Sequence, residues 1–183
     1  MTDADAVRSV GLALPRAYEQ LTNGTWKLKV GQIVFVAFSQ DELDFGFGFP
    51  KEERDALIAS APDKFFLPPP RDLRYRWVCG HLAALDDDEM RELVTDAWRM
   101  CVPKMLHDLP DLPAPAARAW ALIDDGDLAA AKPLLHPFVQ WRDRDLVLSG
   151  RHNVLQHLRD TPRPRPPDCV EIRDGQIYGW TRA

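Results

Sequence analysis

At 183 residues and 45% apolar content, the chain is large enough for one big domain or two small ones. It is also apolar enough for a packed core, which excludes a disordered protein. The net charge is −5, with 13 Lys+Arg against 19 Asp+Glu in residues 1–112 and 10 against 9 in residues 113–183. Neither part has the positive excess of a typical nucleic-acid binder, so any DNA contact needs a local basic stripe working against the overall field. No apolar run reaches the roughly 18 residues of a membrane span. The start, MTDADAVRSV, is acidic and amphipathic rather than basic then apolar, so it does not read as a signal peptide and the cytoplasm is the expected compartment. Cys79, Cys101 and Cys169 form no CxxC pair and no zinc pattern, which predicts buried, reduced thiols.

Residues 3–14 place Ala4, Val7, Val10 and Leu14 on one helical face, with Thr2 or Asp3 as cap and Pro15 as stop. Arg16 to Thr25 is expected to be a loop, with Asn23-Gly24 as a turn. Trp26 to Pro50 is rich in β-branched and aromatic residues, interrupted at Gly31-Gln32 and at 40–42. That pattern predicts a meander of three antiparallel strands. Pro50 opens a short helix that ends before Pro62, and Lys64 to Leu67 reads as a brief strand. In RYRWVCGHL, residues 74–82, alternation puts Tyr75, Trp77, Cys79 and His81 on one strand face and Arg74, Arg76 and Val78 on the other. The strongest helix follows, capped by Asp86 with Glu89 three residues on as in a capping box. Met90, Leu93, Val94, Ala97, Trp98 and Cys101 form its continuous apolar stripe, which must lie on the meander. Trp77 and Trp98 are expected to bury against each other's elements.

Residues 108–116 hold three prolines and read as a linker between residues 1–107 and 117–183. Ala117 to Ile123 is a helix, Gly126 a stop and Asp127 the next cap. Phe138–Trp141 and Leu146–Leu148 read as strands, and Gly150 leads into a further helix. TPRPRPP, residues 161–167, is a spacer that reads first as a solubilising loop, with Arg163 and Arg165 also suited to contact a partner or an acidic patch on the first domain. The chain then closes in two strands joined at Asp174-Gly175, the clearest hairpin signal present.

Several pieces carry a family likeness. They are the helix ending in Leu14-Pro15, WKLKVGQIVFVAFS, the Trp-Val of RYRWVCGHL, and DDDEMRELVTDAWRMCVPK. On these, residues 1 to about 107 resemble the MmcQ/YjbR family. The resemblance implies an α+β, CyaY-like antiparallel sheet with helices on one face. It also implies DNA binding through a double-wing arrangement, as proposed for members, and no agreed catalytic residues. Through DDGDLAAAKPLLHPFVQWRD, the Ser-Gly-Arg before a helix and VEIRDGQIYGW, residues 113–183 resemble the SnoaL-like branch of the nuclear-transport-factor-2 superfamily. The resemblance implies a small α+β cone, shortened here and so incompletely closed.

The candidate DNA-contacting residues are Lys27, Lys29, Arg71, Arg74, Arg76, Arg99 and Lys104. The same residues also suit an ordinary solvated surface. Trp141, Asp143 and His152 are the candidate pocket residues of the second module, a carboxylate beside an apolar wall being apt to titrate unusually. Asp143 equally suits a turn. His152 and His157 lie five apart, which does not set two ligands on one helical face. Nothing in the residues forms a catalytic constellation, and no cofactor or metal is expected. The sequence therefore points to a non-enzymatic binding protein, with DNA as the first candidate ligand. A small-molecule binder or minor enzyme using a pocket in the second module is the alternative. A third reading is a dimerising protein, because the closing hairpin, with Val170, Ile172, Ile177 and Trp180, has no later strand to cover it; a second copy is its simplest cover, and docking onto the first domain would also serve.

Overall fold

The computed structural model describes residues 2–161 and 164–183; Arg163 lies outside them. The architecture is α+β, in two compact units, residues 1–104 and 105–183.

The first unit opens with α1 (Ala4–Ala13), capped by the Asp3 carboxylate, which accepts from the Ala6 N–H. Its sheet contains β1 (Ala17–Thr22), β2 (Thr25–Val30), β3 (Ile33–Phe38), β4 (Asp44–Gly48), β5 (Phe65–Phe66) and β6 (Trp77–His81), in the order β1-β2-β3-β4-β6-β5. Every pairing is antiparallel. The three-strand meander is β2–β4. The expected loop before it is instead β1, paired with β2 along its length. Asn23 and Gly24 take positive φ, 53° and 78°, which matches the right-handed twist of a two-residue hairpin. Between β4 and β5 lies α2 (Arg54–Ser60).

The helix α3 (Asp87–Arg99) covers the centre of this sheet. The Asp86 carboxylate accepts from the Glu89 N–H at 2.8 Å, so the cap forms. The reciprocal half of the capping box does not, because Glu89 reaches Lys64 Nζ at 2.7 Å. Met90, Val94, Ala97 and Trp98 are buried along the helix's inner stripe, above a layer of Phe35, Phe45, Phe47 and Phe65. Trp98 is fully enclosed and its Nε1–H donates to the Pro15 carbonyl at 2.9 Å. The two helices α1 and α3 share one face of the sheet. A Cβ on Gly11 of α1 would meet Leu28 Cδ1 of β2 at 2.4 Å, so any larger residue there must displace the buried Leu28 side chain.

Arg8 of α1 ties the edge of this layer. It donates to Glu19 at 2.6 Å and to Glu42 at 2.6 Å and 2.9 Å, and its guanidinium lies 4.7 Å from the Phe38 ring centroid. The Glu42 carboxyl is held below its usual value by those hydrogen bonds and by the Arg8 charge.

The second unit runs through α4 (Ala114–Asp124), α5 (Leu128–Ala131), β7 (Leu135–Asp143), β8 (Leu146–Ser149), α6 (Arg151–Asp160), β9 (Cys169–Arg173) and β10 (Gln176–Arg182). Helix α4 starts at Ala114, inside the Pro-rich stretch, because Pro115 falls in its first turn where no N–H is needed. The sheet order is β8-β7-β10-β9. Here the structure corrects the expectation of an uncovered closing hairpin: β10 is an interior strand, antiparallel to β9 and parallel to β7. The edges left open among the described residues belong to β8 and β9. Trp141 of β7 and Trp180 of β10 are register partners. Their rings stack at 4.5 Å and 8°, and each is 1% exposed. Pro164, ahead of β9, is anchored, since Trp120 Nε1 donates to its carbonyl at 3.1 Å.

Candidate functional site

The face of the first sheet away from α1 and α3 is half-buried along its middle and exposed at its edges, at Tyr18, Gln20 and His81. Leu28 points into the core, so its neighbours Lys27 and Lys29 point outward together. Lys29 stands opposite Tyr18 of β1, its Nζ 2.9 Å from Gln20 Oε1 and 5.8 Å from the Tyr18 ring centroid. From Lys27 the register runs straight across the sheet through Ala37, Gly46, Cys79 and Phe66. The ring of Trp77 lies over Gly46, where an added Cβ would come within 3.2 Å of Trp77 Cε3. Trp77 therefore caps the middle of the outer face and does not meet Trp98, which is enclosed on the helical side. The correction follows from strand parity: Val78, not Trp77, is the buried neighbour.

At the far end of this face, His81 Nδ1 lies 2.7 Å from Asp44 Oδ1, and Phe66 stacks on the imidazole at 4.7 Å. Cys79 shares the face, which sets Cys, His and Asp near one another. They do not form a nucleophile and its base. Among the described residues Cys79 makes no hydrogen bond to His81, and burial, then the charges of Asp44 and Asp72, push its thiol up to about 11. A thiol so shifted stays protonated at neutral pH. Cys101 is likewise pushed up to about 11 by burial. No group of three or more His, Cys, Asp or Glu among the described residues is placed to hold a metal ion.

The remaining basic candidates do not join Lys27 and Lys29. Arg74 and Arg76 precede β6 rather than lying on it, so their predicted strand face does not exist. Arg74 folds onto Tyr75, 4.7 Å from its ring centroid, with Nη2 donating to the hydroxyl at 2.6 Å. Arg71 sits in a 3-10 turn beside Asp72 at 3.5 Å. The strand β6 that they precede is three strand spacings from β2, about 14 Å. Arg99 ends α3 and pairs with Asp96 at 2.9 Å, while Lys104 is exposed in the next turn. The α3 helix covers the opposite face, so Arg99 is not part of the Lys27–Lys29 surface.

In the second unit the three pocket candidates are also separated. Trp141 is in the core, with its Nε1–H unpartnered among the described residues. Asp143 is an ion-pair partner of Arg182, whose Nε donates at 2.7 Å. His152 alone lines a groove, about 580 Å³ in volume, with Lys132, Arg151 and Arg159. Those three cations were missed because Lys132 is far from α6 in sequence and unmarked by any motif. The only available signal was the i, i+4, i+8 stripe of Arg151, Leu155 and Arg159.

The comparisons with known proteins bear on the first unit. A model of the YjbR family matches residues 12–100. The crystal structure of a Deinococcus radiodurans protein with a DUF419 domain is similar at a TM-score of 0.50 and 20% identity, covering 62% of this chain and 91% of that one. At that identity the likeness speaks to fold. No curated protein matches the sequence.

Proposed function

We propose that this chain is a non-enzymatic, cytoplasmic binding protein whose first unit holds DNA on the outer face of its sheet. The observation that carries the reading is the outward pair Lys27 and Lys29, set beside Tyr18 and in register with the Trp77-capped centre. Lysines supply phosphate contacts and exposed aromatic rings offer stacking surfaces for bases. The YjbR-like match supports it through the DNA binding proposed for that family. The unit's acidic balance opposes it, so binding is expected at low ionic strength and should fall steeply with salt.

Labelled duplex and single strand, titrated at low salt, test the reading. The Lys27→Ala/Lys29→Ala protein is expected to lose most of the affinity. Arg74→Ala/Arg76→Ala, altering a separate loop, is expected to lose less. Absence of binding by the wild-type protein, or equal binding by the lysine variant, rejects it.

For the second unit, the order helix, helix, long strand, strand, helix, hairpin favours a shortened SnoaL-like module. Its open edges β8 and β9 favour pairing with a second copy, although Glu171 and Arg173 on β9 blunt that edge with charge. Light scattering distinguishes the cases: a mass of two chains supports the pairing, and a mass of one chain at high concentration removes it. No helix among the described residues is long and apolar enough to cross a membrane.

A further inference from the structure

We propose that the groove between α5 and α6 binds a small organic anion, with a carboxylate or phosphate head and an apolar body. The site is independent of the sheet face considered above. Its volume, about 580 Å³, falls in the roughly 300–1,000 Å³ range of small-molecule sites. Lys132, Arg151, His152 and Arg159 line it, and no Asp or Glu does. Its apolar lining includes Leu128 and Leu155. That is a hydrophobic floor with a rim of one sign, which is the arrangement an amphipathic anion needs.

The sign of the rim is unusual for this molecule, which is acidic overall at −5. Several cations elsewhere in the structure have an acidic neighbour: Arg8 has Glu19 and Glu42, Lys64 has Glu89, and Arg182 has Asp143. The side chains of Lys132, His152 and Arg159 make no ion pair or hydrogen bond among the described residues. Arg151 is held by donating Nη1–H to the Leu135 carbonyl at 3.2 Å. That bond fixes the guanidinium while leaving its charge uncompensated. Like charges gathered without counter-charge repel one another, and an anion in the groove relieves that repulsion. The N-terminus of α6 adds to the field. It begins at Arg151 after Gly150 and has no side-chain cap, so its first amides carry the positive end of the helix dipole.

An adjacent groove shows the contrast. It holds about 530 Å³, shares Leu128 and Arg159, and is lined by Asp124, Asp125 and Asp160. The two grooves are alike in size and opposite in charge. The lining of the first is therefore the one that suits an anion.

Isothermal titration of the full chain tests the proposal with three probes: phenyl phosphate, benzoate and the uncharged benzyl alcohol. At least one of the two anions is expected to bind, and whichever binds more tightly identifies the head group. Benzyl alcohol is expected to bind at least tenfold more weakly. The Lys132→Gln/Arg159→Gln protein changes two unpaired surface side chains, so its thermal unfolding should match wild type. Its affinity for the anion is expected to fall roughly tenfold or more, the scale of losing charge-assisted hydrogen bonds. Failure of both anions to bind at millimolar concentration overturns the proposal. So does an affinity unchanged in the variant, or an alcohol that binds as tightly as the anions.

Discussion

The two units solve the same problem, covering one face of a small sheet, with opposite connectivity. In the first, most neighbouring strands are joined by short turns and all pair antiparallel. In the second, β10 enters between β7 and β9, and its partner β7 lies across α6 in sequence. The cores differ in the same way. The first is an aromatic layer of phenylalanines under one tryptophan whose N–H is satisfied by Pro15. The second is centred on two stacked tryptophans, one whose N–H is unpartnered among the described residues. The comparison teaches that local pairing carries its own instructions in turn residues, whereas the parallel contact of β7 with β10 depends on the packing of Trp141 against Trp180.

Removing the central side chain tests this most severely. Trp98→Ala is expected to destabilise the first unit by about 3–5 kcal/mol, the range for emptying a large buried aromatic site. Urea unfolding measures it, and a midpoint equal to wild type would show that α3 does not depend on Trp98. A finer contrast comes from two milder changes. Trp98→Phe strips a hydrogen bond and leaves the buried Pro15 carbonyl unpaired, whereas Trp141→Phe removes an N–H that has no partner among the described residues. The first is therefore expected to cost more than the second by about 1–3 kcal/mol. Equal losses would mean that the hydrogen bond to Pro15 contributes nothing.

The smallest expected effect is acidic. Glu42 has a folded-state value below its ordinary 4.5 because Arg8 bonds its charged form. A depressed carboxylate contributes stability above its unfolded value and loses it as pH falls through the folded one. The first unit should therefore weaken progressively as pH drops below about 4.5. Arg8→Met should flatten that part of the profile. An unchanged slope between variant and wild type would detach the ion pair from acid stability.

Much of this was legible in residues alone. The α3 stripe, the Asp86 cap, the β2–β4 meander and the Asp174-Gly175 hairpin each rest on contacts within a few positions of one another. What escaped was set by longer range or weaker pattern. Strand β1 is an edge with Tyr18 and Gln20 exposed on one side and Glu19 reaching Arg8 on the other, so it lacks an apolar alternation. The pairing of Arg74 with Arg76 rested on extending β6 three residues too far back. Lys27 and Lys29 were placed correctly because Leu28 between them fixes the parity. The pocket candidates of the second unit are separated for a different reason. Trp141 and Asp143 alternate outward from nothing: one is core and the other is claimed by Arg182, a partner that lies on a strand no local pattern connects to β7.

The interior position of β10 also sets an order of events during synthesis. The first sheet has all its strands once His81 has emerged. The hairpin of β7 and β8, complete by Ser149, must wait for residues 176–182 before Trp141 finds Trp180. Through that interval one long edge of β7 and the Trp141 ring stand open to whatever else is nearby. The second unit is thus the part of the chain most exposed to mispairing while it is being made, and the part for which slowed translation or a holding chaperone would matter.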